Sequence, residues 1–281
     1  MNVKGPDPER FPLDGVDISL VSNETLTALF DTAPIIHHYQ GTRIPISLII
    51  AKAAEREEIP SIPVPKVYRV LNIETEGVFF GARCLIVMDF VKGRTVEDCW
   101  EDLSQIERKD VVSQVASIIN NLHSIPLPER KDLVPGPVGC QDCVGCGRFL
   151  PDAGAGPFGS TEELQAWYNR RLEITQHFHQ APPDALPFVF NKYAVTNYDV
   201  APRNLILDSE GKVWLIDWGD AGIYPEGFDF AALNGRKDQA EEFTEMLFKM
   251  IPRYEDLSYQ MLLIAYGLTT AQWIDSRWIK E

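Results

Sequence analysis

Positive charge is scarce in this chain. Its 281 residues carry 26 Lys and Arg against 41 Asp and Glu, a net charge of −15. Nucleic-acid binders need basic surface to neutralise phosphates, so that class is argued against. Long apolar runs are missing too. No stretch approaches the roughly 18 residues that span a bilayer, so no membrane role is expected. The opening segment, Met1-Asn-Val-Lys-Gly-Pro-Asp-Pro, has no apolar signal core, which speaks against secretion. Cysteines are few and odd in number, five in all. In a chain of this length that suggests reduced thiols and a cytoplasmic setting. Repeats and low-complexity segments are absent. Glycine is thin on the N-terminal side, where the first 76 residues hold only Gly5, Gly15 and Gly41. No lysine falls between Gly5 and Ala51.

What is present is enough apolar material, 45% of residues, to bury a sizeable core in one two-lobed unit or two domains. Residues 1 to about 30 read as loop-rich and peripheral. Ile35, Ile36 and Tyr39 suggest a short strand, and Leu48 to Ala54 an apolar helix running into Glu55-Arg-Glu-Glu58. Val67 to Ile73 and Ala82 to Phe90 read as two strands around Glu76-Gly77. The rest is mainly helical. Ser104 with Glu107, and Ser160 with Glu163, have capping-box spacing. Val111, Val115, Ile118, Ile119 and Leu122 then recur at helical period, as do Leu164, Tyr168 and Leu172. Asp256 is a candidate cap for a last helix through Met261, Leu262, Ala265 and Leu268.

The chemistry concentrates in Asn197-Tyr-Asp-Val-Ala-Pro-Arg-Asn204 and the following Leu215-Ile-Asp217-Trp. Leu205-Ile-Leu207 and Val213-Trp-Leu-Ile216 are short β-prone runs joined by Asp208-Ser-Glu-Gly211, which has turn chemistry. A hairpin there returns the chain on itself. Asn204, before the first strand, and Asp217, after the second, then stand side by side. Asp199 lies in the preceding loop, stiffened by Pro202. One loop acid, an amide five residues on and an acid beyond a hairpin is the arrangement phosphoryl transfer requires. The first accepts the proton of the attacking hydroxyl, and the other two hold magnesium against nucleotide phosphates.

These residues carry a resemblance to a family. Asp199-Val-Ala-Pro-Arg-Asn204 and Ile216-Asp-Trp-Gly-Asp-Ala-Gly-Ile-Tyr-Pro-Glu226 resemble the aminoglycoside phosphotransferase and choline kinase group, most nearly its large fungal branch. Ile62-Pro-Val-Pro-Lys-Val-Tyr68, Leu85-Ile-Val-Met-Asp-Phe-Val-Lys-Gly93 and Gly156-Pro-Phe-Gly-Ser160 match further family segments. The likeness runs from about residue 60 onward. It implies an α+β, protein-kinase-like two-lobed fold, with a small, shortened β-rich N-lobe over 1–90 and a larger, mainly helical C-lobe over 91–281. It also implies Asp199 as general base, Asn204 and Asp217 as Mg2+ ligands, and ATP held along the hinge Met88, Asp89, Phe90 and Val91. Arg203 would touch a phosphate or a nearby acid. The partners expected are a nucleotide and a small-molecule acceptor, for which the 14 Asp and Glu against 7 Lys and Arg from Leu205 to Glu281 suggest an amine-bearing compound.

Departures from the family divide the functional reading. Asn197 replaces the usual histidine, but an amide also donates and accepts. Gly219 replaces a glutamate, with Asp220 next to it. The strand lysine that pairs nucleotide phosphates has no counterpart, since His37 or His38 stands in its place and Ile49 where its partner glutamate belongs. Lys52 and Glu55 lie nearby. An ATP- and Mg-dependent phosphotransferase is therefore the first expectation. A kinase-like shell turned to lyase, isomerase or cyclase chemistry, or to binding alone, is the alternative. Cys140, Cys143 and Cys146 form C-x2-C-x2-C, but Leu150 and Pro151 stand where an iron–sulfur run needs its next cysteine and proline. Asp142, Cys99 or His123 would have to complete a zinc site, and a loop of free thiols is the favoured reading. His177 and His179 read as a solvated helix end, His123 as a cation at a helix C-terminus.

Overall fold

The computed structural model describes residues 16–32, 62–74, 82–138, 143–151 and 153–274. The strand proposed at 35–39, the helix at 48–54 and with them His37, His38, Ile49, Lys52 and Glu55 lie outside these residues. So do Cys140 and Asp142.

Two compact units divide the described chain. One holds residues 16–32, 65–74 and 82–90. Its two strands, β1 (Val67–Glu74) and β2 (Ala82–Met88), pair antiparallel as their β-branched content predicts. The expectation of a loop-rich start is corrected here. Asn23–Thr32 forms helix α1. Ser22 opens it, its Oγ accepting from the Thr25 amide at 3.2 Å. Arg69 of β1 then donates to Val21 O at 2.6 Å and Asn23 Oδ1 at 3.0 Å, and Leu26 is buried with Leu71. Tertiary anchoring, invisible in the local sequence, makes this segment a helix.

The second unit comprises 62–64 and the described residues from 91 onward. Strand β3 (Gly93–Thr95) leads into the short helix α2 (Val96–Cys99) and the long α3 (Gln105–His123). Both halves of the expected box are present at Ser104: its Oγ accepts from the Glu107 amide at 3.3 Å, and Glu107 accepts from the Ser104 amide at 2.7 Å. Strand β4 (Gly136–Pro137) and helix α4 (Thr161–His177) follow. At Ser160 only half a box forms, because Glu163 reaches one residue further back, to the Gly159 amide.

Two three-stranded antiparallel sheets sit in this unit, in the orders β3-β6-β7 and β4-β8-β5. Their remaining strands are β5 (Tyr193–Thr196), β6 (Leu205–Asp208), β7 (Val213–Leu215) and β8 (Gly222–Pro225). The β6–β7 turn forms because Asp208 Oδ1 accepts from the Glu210 and Lys212 amides, both at 2.9 Å, while Gly211 takes φ +80°. Helices α5 (Phe228–Asn234), α6 (Glu241–Leu247), α7 (Glu255–Leu263) and α8 (Ala265–Leu268) complete the described chain. Tyr254, not Asp256, takes the cap position of α7. Asp256 lies in the first turn instead, where its charge meets the positive end of the helix dipole.

The core has two parts. The aliphatic α3 face packs on Leu205, Val213, Leu215 and Phe230. An aromatic cluster of Tyr168, Phe188, Phe190, Tyr198, Tyr224 and Phe228 fills the other. No helix among the described residues is long and apolar enough to cross a membrane.

Candidate active site

The two core parts meet beneath the loop 197–204. Strand β5 delivers Asn197 fully buried. Its Oδ1 accepts from the Asp199 amide at 3.1 Å, and its Nδ2 donates to the Asp217 carbonyl at 3.0 Å. One amide thus ties together the loops that carry the two acids.

Tyr198 takes φ +67°, a left-handed conformation that costs an aromatic residue on the order of 1–3 kcal/mol. The surroundings hold it there. Its amide donates to Asp229 Oδ1 at 2.8 Å, and its hydroxyl accepts from the Phe149 amide at 3.2 Å. The ring packs against Tyr224 and Phe228 at 5.3 and 5.6 Å. Turning the backbone at Tyr198 sends the next side chain, Asp199, out of the core.

Asn204 ends the turn begun at Pro202 and is 5% exposed. Its Nδ2 donates to the Asp199 carbonyl at 2.9 Å and to Asp199 Oδ2 at 3.0 Å. Among the described residues no donor reaches its Oδ1. The Ile216 amide donates to the Asn204 carbonyl at 2.9 Å, extending the β6–β7 ladder. Asp217 follows at once with φ +58° and an exposed carboxylate, which accepts a 3.3 Å bond from the Gly219 amide. The hairpin therefore brings together the three residues singled out from spacing.

An oxygen donor set of this kind suits a hard cation such as Mg2+. The Asn204 amide nitrogen is committed to Asp199, so its side-chain oxygen is the group left to take a cation, and its backbone carbonyl is tied to Ile216 beside Asp217. These residues fit the ion. Asp220 adds to that side: burial pushes its carboxyl up to about 6, with the Asp217 charge raising it further and Arg203 opposing.

Asp199 is heavily engaged. Arg203 Nη2 donates to both its oxygens at 2.7 Å, and Arg236 Nη1 meets Oδ1 as well. Of the two alternatives for Arg203, a phosphate or a nearby acid, the structure shows the acid. Arg236 was not legible in the sequence. It follows α5 and Gly235 with no motif around it, and only the return of that helix brings it to the loop. Asp229 was equally hidden. It is 2% exposed and accepts from Tyr198 through one oxygen, while the other lies 3.0 Å from His123 Nε2. Burial alone would depress the His123 imidazole, but the bond to Asp229 and the charges of Asp229 and Glu226 outweigh it and hold His123 above its ordinary value. His123 is a paired side chain, not just a charge on a helix end.

In the first unit, Asp89 uses its carboxylate on the Tyr68 hydroxyl at 2.5 Å and the Lys66 amide at 3.1 Å, and its own amide on Lys66 O at 2.9 Å. Met88 and Phe90 on either side are exposed. Cys143 is disulfide-bonded, which corrects the reading of free thiols at that position, since spacing alone does not tell a thiol from a bridge. Neither Cys99 nor Cys146 is in a disulfide. Among the described residues no group of three or more His, Cys, Asp or Glu side chains is placed to hold a metal.

A model of the phosphotransferase enzyme family matches residues 43–250 of the 281. The chain belongs to that family. Several solved aminoglycoside phosphotransferases are similar to it. The gentamicin complex of APH(2")-IIa is 15% identical, with 76% of this chain and 67% of that one covered and a TM-score of 0.44. APH(4)-Ia is 15% identical over 82% and 79%, with a TM-score of 0.46. ADP-bound APH(2'')-Ib is 15% identical over 83% and 76%, with a TM-score of 0.44. Comparison with curated proteins returns no match. The family assignment rests on the sequence match. The α+β architecture, with a small two-stranded sheet before a largely helical second unit, agrees with it.

Proposed function

We propose that this family member transfers the γ-phosphoryl group of ATP, with Mg2+, to a hydroxyl of a small molecule. The observation that carries this reading is the junction of the three residues: the Asn204 side-chain nitrogen donates to Asp199, and the Asn204 backbone carbonyl accepts from Ile216, the residue before Asp217. Asp199 takes the proton of the acceptor hydroxyl, the acceptor oxygen bonds to the γ-phosphorus, and the bond to the β-phosphate oxygen breaks as ADP leaves. Asn204 and Asp217 would hold Mg2+, which when bound neutralises phosphate charge. Asn197 keeps the two loops in register, and Asp229 keeps Tyr198 in the conformer that presents Asp199. We assign the segment 88–91 to nucleotide contact through peptide groups other than the Asp89 amide. Both signs of charge stand around the base, with Arg203 and Arg236 on Asp199 and Asp217 and Asp220 of the last third beside Arg203, so charge alone does not choose the acceptor.

The test is a thermal melt with and without millimolar Mg-ATP. A ligand of the native state raises the melting temperature by mass action. No shift in wild type would leave only the alternative, a kinase-like fold used for other chemistry, which the fully engaged Asp199 carboxylate favours.

A further inference from the structure

Asp199 stands between two neighbours, and one short segment reaches both. The first is Tyr198, the residue before it, held at φ +67°. The second is Arg236, which meets its carboxylate. The segment is Gly147-Arg148-Phe149, in the loop between β4 and α4.

The outer two residues hold Tyr198. Gly147 takes φ +133°, a conformation open to glycine and strained for any residue with a side chain. A Cβ at this position would overlap Cδ1 and Cε1 of the Tyr198 ring. The loop lies on the ring because Gly147 has none. The Phe149 amide donates to the Tyr198 hydroxyl at 3.2 Å, and the Phe149 carbonyl accepts from the Tyr168 hydroxyl at 3.0 Å. The Phe149 backbone is thus fixed between two buried tyrosines. Tyr224 and Phe228 pack on the same Tyr198 ring. A backbone relaxing toward negative φ at Tyr198 would have to swing that ring, and these contacts leave it no room. Arg148, between the outer two, donates to the Gly235 carbonyl. Gly235 directly precedes Arg236. The contacts alternate along the segment, first Tyr198, then Gly235, then Tyr198 again. A shift of the loop therefore moves both neighbours of Asp199 together.

We propose that Gly147-Arg148-Phe149 is a positioning segment for Asp199, fixing at once the direction of its carboxylate and the chain that brings Arg236 to it. What Asp199 does there rests on the phosphotransferase reading, but where its carboxylate stands is measurable without turnover.

The experiment compares full-length wild type with Gly147→Ala, Arg148→Met, Arg148→Lys and Ser104→Ala by two readouts. One is the carbon-13 signal of the Asp199 carboxyl in protein with labelled aspartate, identified by its loss in Asp199→Asn. The other is kcat and KM for release of ADP from Mg-ATP, with water standing in for the acceptor. Gly147→Ala and Arg148→Met displace the carboxyl signal and lower kcat by about 10–100-fold, the cost of a small misplacement of a reacting group, with KM for ATP unchanged. Arg148→Lys keeps a donor for the Gly235 carbonyl and restores both readouts. Ser104→Ala weakens only the α3 cap and changes neither, which separates positioning from lost stability. Should Gly147→Ala fail to fold, the exposed Arg148 decides alone. An unmoved carboxyl signal in Gly147→Ala and Arg148→Met overturns the positioning role and leaves the phosphotransferase reading standing. Displaced signals beside a wild type that neither binds nor cleaves Mg-ATP do the reverse.

Discussion

Replacing Asp229 by asparagine separates two jobs that one buried side chain performs. Asparagine keeps a carbonyl oxygen for the Tyr198 amide, now 2.8 Å from Oδ1, but loses the charge facing His123 at 3.0 Å. His123 is 16% and Asp229 2% exposed at the side chain, so solvent screens the pair weakly. A hydrogen bond to a charged group at such a site contributes about 1.5–3 kcal/mol, and that is the loss expected at pH 6. The pH dependence has a definite sign. His123 is held above its ordinary value, so the stability it adds is complete below about 6.5 and disappears as pH rises through its higher folded value. Above that, a neutral imidazole accepts from the new amide, and the loss shrinks to under about 1 kcal/mol. Urea unfolding at pH 6 and pH 9 measures both values through the midpoint at constant slope. Asp229→Ala adds about 1–3 kcal/mol at either pH, because it also orphans the buried Tyr198 amide. An equal penalty for the asparagine variant at both pH values would refute an ionic pair.

Four further outcomes are expected. Asp199→Ala lowers kcat by roughly 10²–10⁴-fold and lowers the melting temperature as well, since Arg203, Arg236 and Asn204 lose a shared partner, and unaltered turnover removes the base assignment. Asn204→Ala and Asp217→Asn each weaken Mg2+ activation by about 10–100-fold in a metal titration. Unchanged Mg2+ dependence in both would dissociate them from the ion. Asp220 sits at about 6 in the folded state, above its unfolded value, so it adds stability at low pH that is lost on passing pH 6. Asp220→Asn should therefore stabilise the metal-free protein at pH 8 by on the order of 1–3 kcal/mol and not at pH 4, and melts showing no such difference count against that buried carboxyl. Ser104→Ala costs about 0.5–2 kcal/mol through loss of the α3 cap, measured by the same urea assay.

What could be read from the sequence was what is local. Asp208 and Gly211 make the β6–β7 turn from their own side chain and backbone, so a four-residue window suffices to place Asn204 near Asp217. Ser104 caps α3 through a residue three away. What escaped depends on distant partners. Helix α1 is anchored by Arg69, 46 residues from Asn23. Asp229 acts on an amide 31 residues earlier. Arg236 looks like any solvated arginine until α5 folds back.

Asn197 has a consequence for how the protein responds to its medium. The link between the two acid-bearing loops is a carboxamide, which neither gains nor loses a proton between acid and alkali. An imidazole there would have let mild acidification disturb loop alignment directly. In this chain the alignment is indifferent to pH, and sensitivity passes to the His123–Asp229 pair beneath the loop and to Asp220 at its rim. Acid inactivation should therefore be a gradual loss of charge at a framework that keeps its shape.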